Sequence, residues 1–252
     1  MRSIKVELPP PGTFFNLALS TALLHMQAYS DGDFVPEVEA GSMVLRLSSD
    51  ATVYKAISSF VEDLRNNVYG IRPSLASDVQ RLGELRRFLR KYLGREVKSS
   101  EDLLLGYVKY LETLASRGSL LKELSNALSQ FKNGYPNDAR ICRVPMLNRL
   151  APEFMEGMRT LGGVKWTTTV PPSLAFSRME IGPHSTCLGI AGVWASFMAY
   201  IRRGEGGGGL EYFLFPDMSE IRIPSREAAA TIRRVLGLSL IHISEPTRPL
   251  YI

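Results

Sequence analysis

Short stretches in which apolar and polar residues alternate occur near both ends of this chain. Alternation of this kind is typical of strands with one buried face. The predicted strands span residues 4–8, 35–40, 42–47, 164–170, 174–181, 210–215 and 220–223. The segments 35–40 and 42–47 flank Gly41 closely, so we predict that these two strands pair with each other.

Between these strands the apolar residues recur with the period of a helix. We predict helices over residues 13–29, 50–66 and 186–201, and a further helix that begins at Ser225. The helix over 50–66 is capped by Ser49 or Asp50, and its predicted buried stripe consists of Val53, Ile57, Phe60, Val61 and Leu64.

The middle of the chain, from residue 77 to residue 130, follows a helical pattern almost throughout. Ser99 and Asp102 have the spacing of a capping box, and Gly118 with Ser119 separates two helices. Strands at both ends that enclose a helical middle predict an α+β fold. In this fold residues 1–75 and 151–237 form the core, and residues 76–150 form a helical insertion with a basic face.

The last residues of the chain, 238–252, differ from the rest. The run from Leu238 to Arg248 resembles an in-frame translation of the adapter used in transposase-based DNA library preparation. We therefore expect a non-native tail after Gly237 and a natural chain that is truncated there. Such segments are left out of fold prediction.

Composition and charge are those of an ordinary globular protein with a moderate basic excess. The apolar fraction is 45%, the charged fraction 22% and the net charge +5. The longest apolar run, residues 187–201, is shorter than the roughly 20 residues that a membrane span needs. Cys142 and Cys187 form no disulfide framework, and the N-terminus is not a signal peptide. These features predict a soluble, cytoplasmic protein with no membrane partner.

Few residues are suited to catalysis. Of the three histidines His242 lies in the tail, and His25 is predicted to be a packed or surface residue. His184 and Cys187 could form a base and nucleophile pair, but no carboxylate that would orient the base is near in sequence. The glycine-rich run 204–209 precedes a strand rather than a helix, so we interpret it as a linker or hairpin tip. We predict no catalytic residue, no cofactor and no metal site.

The strongest candidate for binding is the basic segment between residues 81 and 98. On a helix, Arg86, Arg87, Arg90 and Lys91 fall on one face at four-residue spacings, where their mutual repulsion would be relieved by a polyanion. The alternative is a solvated helix face. The predicted nucleic-acid-binding residues are Arg86, Arg87, Arg90, Lys91, Arg95, Arg140 and Arg143.

Two stretches resemble a known family in their layout. Residues 5–19 (KVELPPPGTFFNLAL) form a strand, a proline turn and an apolar helix, and residues 171–216 place an apolar helix between strands. Together they look like the archaeal large-subunit proteins of type I-A CRISPR effector (Cascade) complexes. The resemblance implies a protein without its own catalytic site that helps a guide-RNA complex bind target DNA.

The leading hypothesis is therefore a non-enzymatic, nucleic-acid-associated subunit of a CRISPR antiviral effector complex. Its expected partners are DNA or guide RNA and the other subunits of that complex. Two alternatives stay open, namely a fragment of an enzyme whose catalytic part is missing and a subunit that binds an acidic protein partner.

Overall fold

A computed structural model describes ten separate parts of the chain. In these parts the chain forms six helices and seven strands. The described residues are 2–7, 14–30, 35–39, 42–47, 49–67, 83–128, 131–132, 135–136, 183–202 and 209–213.

Among the side chains that the structure describes, most of the buried apolar ones lie on helices. They are α1 (Phe14–Gln27), α2 (Asp50–Asn67), α3 (Gly83–Leu93), α4 (Ser100–Ser116), α5 (Leu120–Leu128) and α6 (Pro183–Ala195). Helix α1 packs along α6, while α4 packs against α2, α3 and α6. Helix α4 therefore lies at the centre of the described core, and its Tyr107 is among the largest fully buried side chains.

The strands form three separate antiparallel sheets. They are β1 (Arg2–Glu7), β2 (Val35–Glu39), β3 (Ser42–Leu47), β4 (Phe131–Lys132), β5 (Tyr135–Pro136), β6 (Phe197–Arg202) and β7 (Gly209–Phe213). The largest sheet has the order β1-β3-β2, and β4-β5 and β6-β7 are two-stranded pairs. The predicted pairing of the segments on either side of Gly41 is confirmed, since Val35 lies opposite Arg46 and Glu39 opposite Ser42.

The prediction of an α+β core built from both ends of the chain is wrong. Among the residues whose side-chain environment is described, 83% are helical and 2% are in strands, so the packed part is mainly helical. The described strands near the two ends belong to different sheets. Helices α3, α4 and α5, which were predicted to form an insertion, contribute to the same hydrophobic cluster as α1, α2 and α6. Alternation along a strand indicates one buried face, but it does not determine which element covers that face.

Local signals in the sequence predict the starts of α2 and α4 correctly. Ser49 caps α2, because its hydroxyl accepts a hydrogen bond from the Thr52 backbone N–H at 3.2 Å. The predicted stripe of α2 is confirmed, with Val53, Ile57, Phe60, Val61 and Leu64 all buried. Ser99 caps α4 as its spacing to Asp102 predicts, but the return bond of a capping box goes to the residue before the cap, Lys98, and not to Ser99 itself. Ser99 accepts from the Asp102 N–H, and the Asp102 carboxylate accepts from the Lys98 N–H, both at 3.0 Å.

The predicted helix over residues 186–201 is only partly correct. Helix α6 ends at Ala195, Ser196 forms a turn that bonds back to the Gly192 carbonyl, and the chain continues as β6. Strand β6 pairs antiparallel with β7, with Arg202 opposite Gly209, and residues 203–208 between them lie outside the described residues. The apolar residues of β6 are compatible with a helix or with a strand, and their pairing with β7 makes them a strand.

Several predictions fall outside the described residues. These are the strands over 164–170, 174–181 and 220–223, the helix from Ser225, the tail 238–252, Cys142, and the arginines Arg140 and Arg143.

Within the part of the chain that the structure describes, every helix is too short or too polar to cross a membrane.

Candidate nucleic-acid interface

Helix α3 presents the basic segment that the sequence singles out. Leu85 and Leu89 are buried and attach the helix to the core, so the opposite side of α3 faces outward. The helix ends at Leu93, and the N–H of the next residue, Gly94, donates to the Arg90 carbonyl at 3.0 Å. Gly94 has a φ of +74°, a left-handed conformation that favours glycine at the end of a helix.

One of the predicted binding residues, Arg86, forms a hydrogen bond within the protein. The Arg86 guanidinium donates from Nε to the carbonyl oxygen of Val97 at 2.7 Å, and Val97 is buried. This bond holds the loop between α3 and α4 against the side of α3. Arg86 is therefore half-buried and is not part of the exposed cationic surface.

Two other predicted residues form ion pairs. Arg90 contacts the Glu96 carboxylate at 3.0 Å, and both side chains are about three-fifths exposed. Arg95 contacts the largely buried carboxylate of Asp102, which also accepts a hydrogen bond from the Lys98 N–H just before α4. The Arg95 pair thus connects the loop to the start of α4, whereas the Arg90 pair lies at the surface.

The exposed cations of α3 lie on one side of the helix. Arg87, Arg90 and Lys91 are all exposed, and their spacings of three and four residues place them next to one another. Arg87 also interacts with other groups of the protein. We call these three residues the α3 cationic face. Of the seven predicted binding residues, the structure brings together these three on α3, with Arg95 in the loop that follows.

An aromatic cluster borders the α3 cationic face, and sequence reasoning missed it. The ring centroids of Phe88 and Tyr92 on α3 are 5.4 Å apart, and those of Phe88 and Tyr110 on α4 are 5.0 Å apart. The Tyr92 and Tyr110 rings are 4.9 Å apart, and all three side chains are half-buried. The spacing of Phe88 and Tyr92 is visible in the sequence, but Tyr110 joins them only through the packing of α4 on α3.

The two residues considered for catalysis, His184 and Cys187, are buried in the core. Nδ1 of His184 lies 2.9 Å from the Tyr107 hydroxyl, so a phenol occupies the place where a triad has a carboxylate. Burial lowers the pKa of His184 to about 4. His184 is therefore a neutral core residue at physiological pH in this arrangement.

His25 is likewise packed, as predicted. It is buried in α1 and stacks on Phe60, with ring centroids 5.8 Å apart. In the described ranges, no three side chains of the histidine, cysteine, aspartate or glutamate type lie together in a way that could hold a metal ion.

Comparison with protein-family models, curated proteins and solved structures gives no match to this chain, so no family is assigned.

Proposed function

We propose that this protein is a non-catalytic subunit that binds nucleic acid through the α3 cationic face. The observation that carries the proposal is the placement of Arg87, Arg90 and Lys91 as exposed neighbours on one side of a helix whose other side is anchored in the core. Like charges at this spacing cost a few tenths of a kcal/mol per pair. A row of phosphates relieves this repulsion and releases condensed counterions, which adds a salt-dependent gain in binding.

The ion pair between Arg90 and Glu96 does not remove Arg90 from such a surface. Both groups are well exposed, and pairs of this kind contribute about 1 kcal/mol or less. A phosphate can therefore replace Glu96 at little cost. Arg95 differs, because its partner Asp102 is largely buried and also accepts the Lys98 N–H at the start of α4. We propose Arg95 as a peripheral contact rather than a central one.

The assembly in which the protein acts is a second part of the proposal. The resemblance of residues 5–19 and 171–216 to the large-subunit family suggests a CRISPR antiviral effector complex, with guide RNA or target DNA as the bound polyanion. The comparisons add no support for this assembly. Copurification of the chain with a guide RNA from its native host would support it, and a chain that copurifies with no nucleic acid would contradict it.

The binding site is tested by reversing two of its charges. In the variant Arg87→Glu/Lys91→Glu we expect binding of a labelled DNA or RNA strand to weaken at low salt. The slope of log K against log salt should become shallower by about one for each phosphate that the protein no longer neutralises, hence by about two. Fluorescence anisotropy over a salt series measures both quantities.

The matched control is Lys55→Glu/Arg117→Glu, which makes the same change in net charge on α2 and at the end of α4. Both control residues are exposed. If the binding site lies on α3, the control retains the salt slope of the unchanged protein. Equal losses in the two double variants would mean that binding follows net charge only, and undiminished binding in the α3 variant would remove the site. Binding of an acidic protein that nucleic acid does not displace would favour a protein-interaction subunit instead.

A further inference from the structure

We infer that the α3 cationic face takes an unpaired nucleic-acid strand, with a base of that strand stacked on Tyr92. This inference rests on the proposed function and narrows it from nucleic acid in general to single-stranded DNA or RNA. It is carried by the position of the aromatic cluster Phe88, Tyr92 and Tyr110 beside the exposed cations.

The cations and the aromatic rings occupy adjacent strips of the same helix. Each residue advances about 100° around an α-helix, so positions 88 and 92 follow positions 87 and 91 around its circumference. Arg87 and Lys91 therefore form one ridge, and Phe88 and Tyr92 form the next. A nucleotide has a charged phosphate on one side and a flat base on the other. The two ridges match these two parts.

Tyr92 is the ring of the cluster whose described ring contacts are both within the cluster. Phe88 and Tyr110 also pack against the buried hydrophobic core, whereas the described contacts of the Tyr92 ring are with those two rings. Contact with two rings restricts the rotation of Tyr92 before any ligand binds. A ring that is already held loses less conformational entropy on stacking against a base.

The aromatic cluster discriminates between single and double strands. In a duplex the faces of the bases are already stacked on one another, and extruding a base costs a few kcal/mol. Proteins that bind single strands combine a cationic surface with aromatic side chains on which the bases stack. A surface that contacted only phosphates would not need an aromatic ring at position 92. Such a surface would bind a duplex as tightly as a single strand.

The experiment compares Tyr92→Leu with Tyr92→Phe on three probes of equal length: a thymidine oligomer, a uridine oligomer and a DNA duplex. Leucine removes the aromatic face, and phenylalanine keeps it. Stacking contributes about 1–3 kcal/mol per base, so Tyr92→Leu should weaken single-strand binding about fivefold or more. Tyr92→Phe should bind single strands as tightly as the unchanged protein does. The unchanged protein and both variants should bind the duplex with similar affinity. The affinities for the thymidine and uridine oligomers show whether the protein prefers DNA or RNA.

The outcomes separate this inference from the proposed function. If Lys91→Glu weakens binding of all probes but Tyr92→Leu leaves single-strand binding unchanged, the stacking inference fails and the cationic site stands. If Lys91→Glu weakens nothing, the proposed function fails as well. Photocrosslinking with an iodouridine-containing strand gives a second readout that does not depend on affinity. A crosslink at Tyr92 supports the inference, and crosslinks confined to other residues overturn it. Circular dichroism verifies that the variants are folded.

Discussion

The Tyr107 hydroxyl and Nδ1 of His184 lie 2.9 Å apart inside the core, and this hydrogen bond joins α4 to α6 across 77 positions of the sequence. Both side chains are buried, and their rings meet edge to face with centroids 5.6 Å apart. A buried polar pair of this kind costs free energy unless both members are satisfied. It therefore favours the one arrangement of α4 and α6 in which the two groups meet.

Removing the Tyr107 hydroxyl should destabilise the protein. In Tyr107→Phe the buried Nδ1 atom of His184 loses its hydrogen-bond partner, which should lower the free energy of unfolding by about 1–3 kcal/mol. Chemical denaturation measures the loss. Tyr54→Phe is the control, because Tyr54 is only half-buried and the change should stay within about 0.5 kcal/mol. Similar losses in both variants would show that the Tyr107–His184 bond contributes nothing specific.

The stability of the protein should depend on pH through His184. Burial lowers the pKa of His184 from 6.5 to about 4, so between these values the unfolded chain binds a proton that the folded protein excludes. The contribution of neutral His184 to stability is complete above pH 6.5 and is lost as the pH falls toward 4. The full loss is on the order of 3 kcal/mol. Tyr107 and Tyr110 have raised pKa values and stay neutral over this range.

The variant His184→Asn isolates this effect, since asparagine keeps a polar group in the core but does not titrate. The unfolding free energy is measured by denaturant titration at about pH 7 and at about pH 5. The unchanged protein should lose about 2 kcal/mol more than the variant between these conditions. Equal losses would assign the pH dependence to other groups.

The close approach of α1 and α6 makes Gly192 hard to replace. A Cβ atom at position 192 would overlap the backbone carbonyl of Ala18, and a backbone atom cannot move aside as a side chain can. We expect Gly192→Ala to destabilise the protein by about 1–3 kcal/mol or more, even though alanine favours the helical conformation. The melting temperature measured by circular dichroism tests this.

Gly106→Ala is the matched control on α4. Its added Cβ would lie 3.1 Å from the Leu89 Cβ, so a small shift between α3 and α4 accommodates it. Because alanine stabilises a helix by about 1 kcal/mol relative to glycine, the two effects nearly offset each other. A Gly192→Ala variant as stable as Gly106→Ala would disprove the close packing of α1 on α6.

Asp50 links the starts of two helices that are distant in sequence. Its carboxylate accepts from the backbone N–H groups of Leu120 at 3.0 Å and Leu121 at 3.3 Å, and so it caps α5 from the first turn of α2. Asp50→Ala should cost about 1 kcal/mol, as the loss of an N-cap does. Glu62→Ala, an exposed acidic residue on the same helix, should cost almost nothing. Denaturant titration of the two variants distinguishes the cap from the loss of a negative charge.

The sequence by itself determined the features that depend on neighbouring residues. The buried stripe of α2, the cap of α4 at Ser99, and the pairing of β2 with β3 follow from periodicity and from hydrogen bonds that span a few residues. Such signals act within one helix or one hairpin, so they need no knowledge of the rest of the chain.

Only the tertiary structure decided which surfaces face each other. The mainly helical core, the contact between Gly192 and Ala18, and the bond between Tyr107 and His184 join segments far apart in sequence. The same packing turned Arg86 inward to the Val97 carbonyl and brought Tyr110 beside Tyr92. Shape and buried hydrogen bonding between distant elements decide these contacts, and a pattern read along one segment carries no information about its partner.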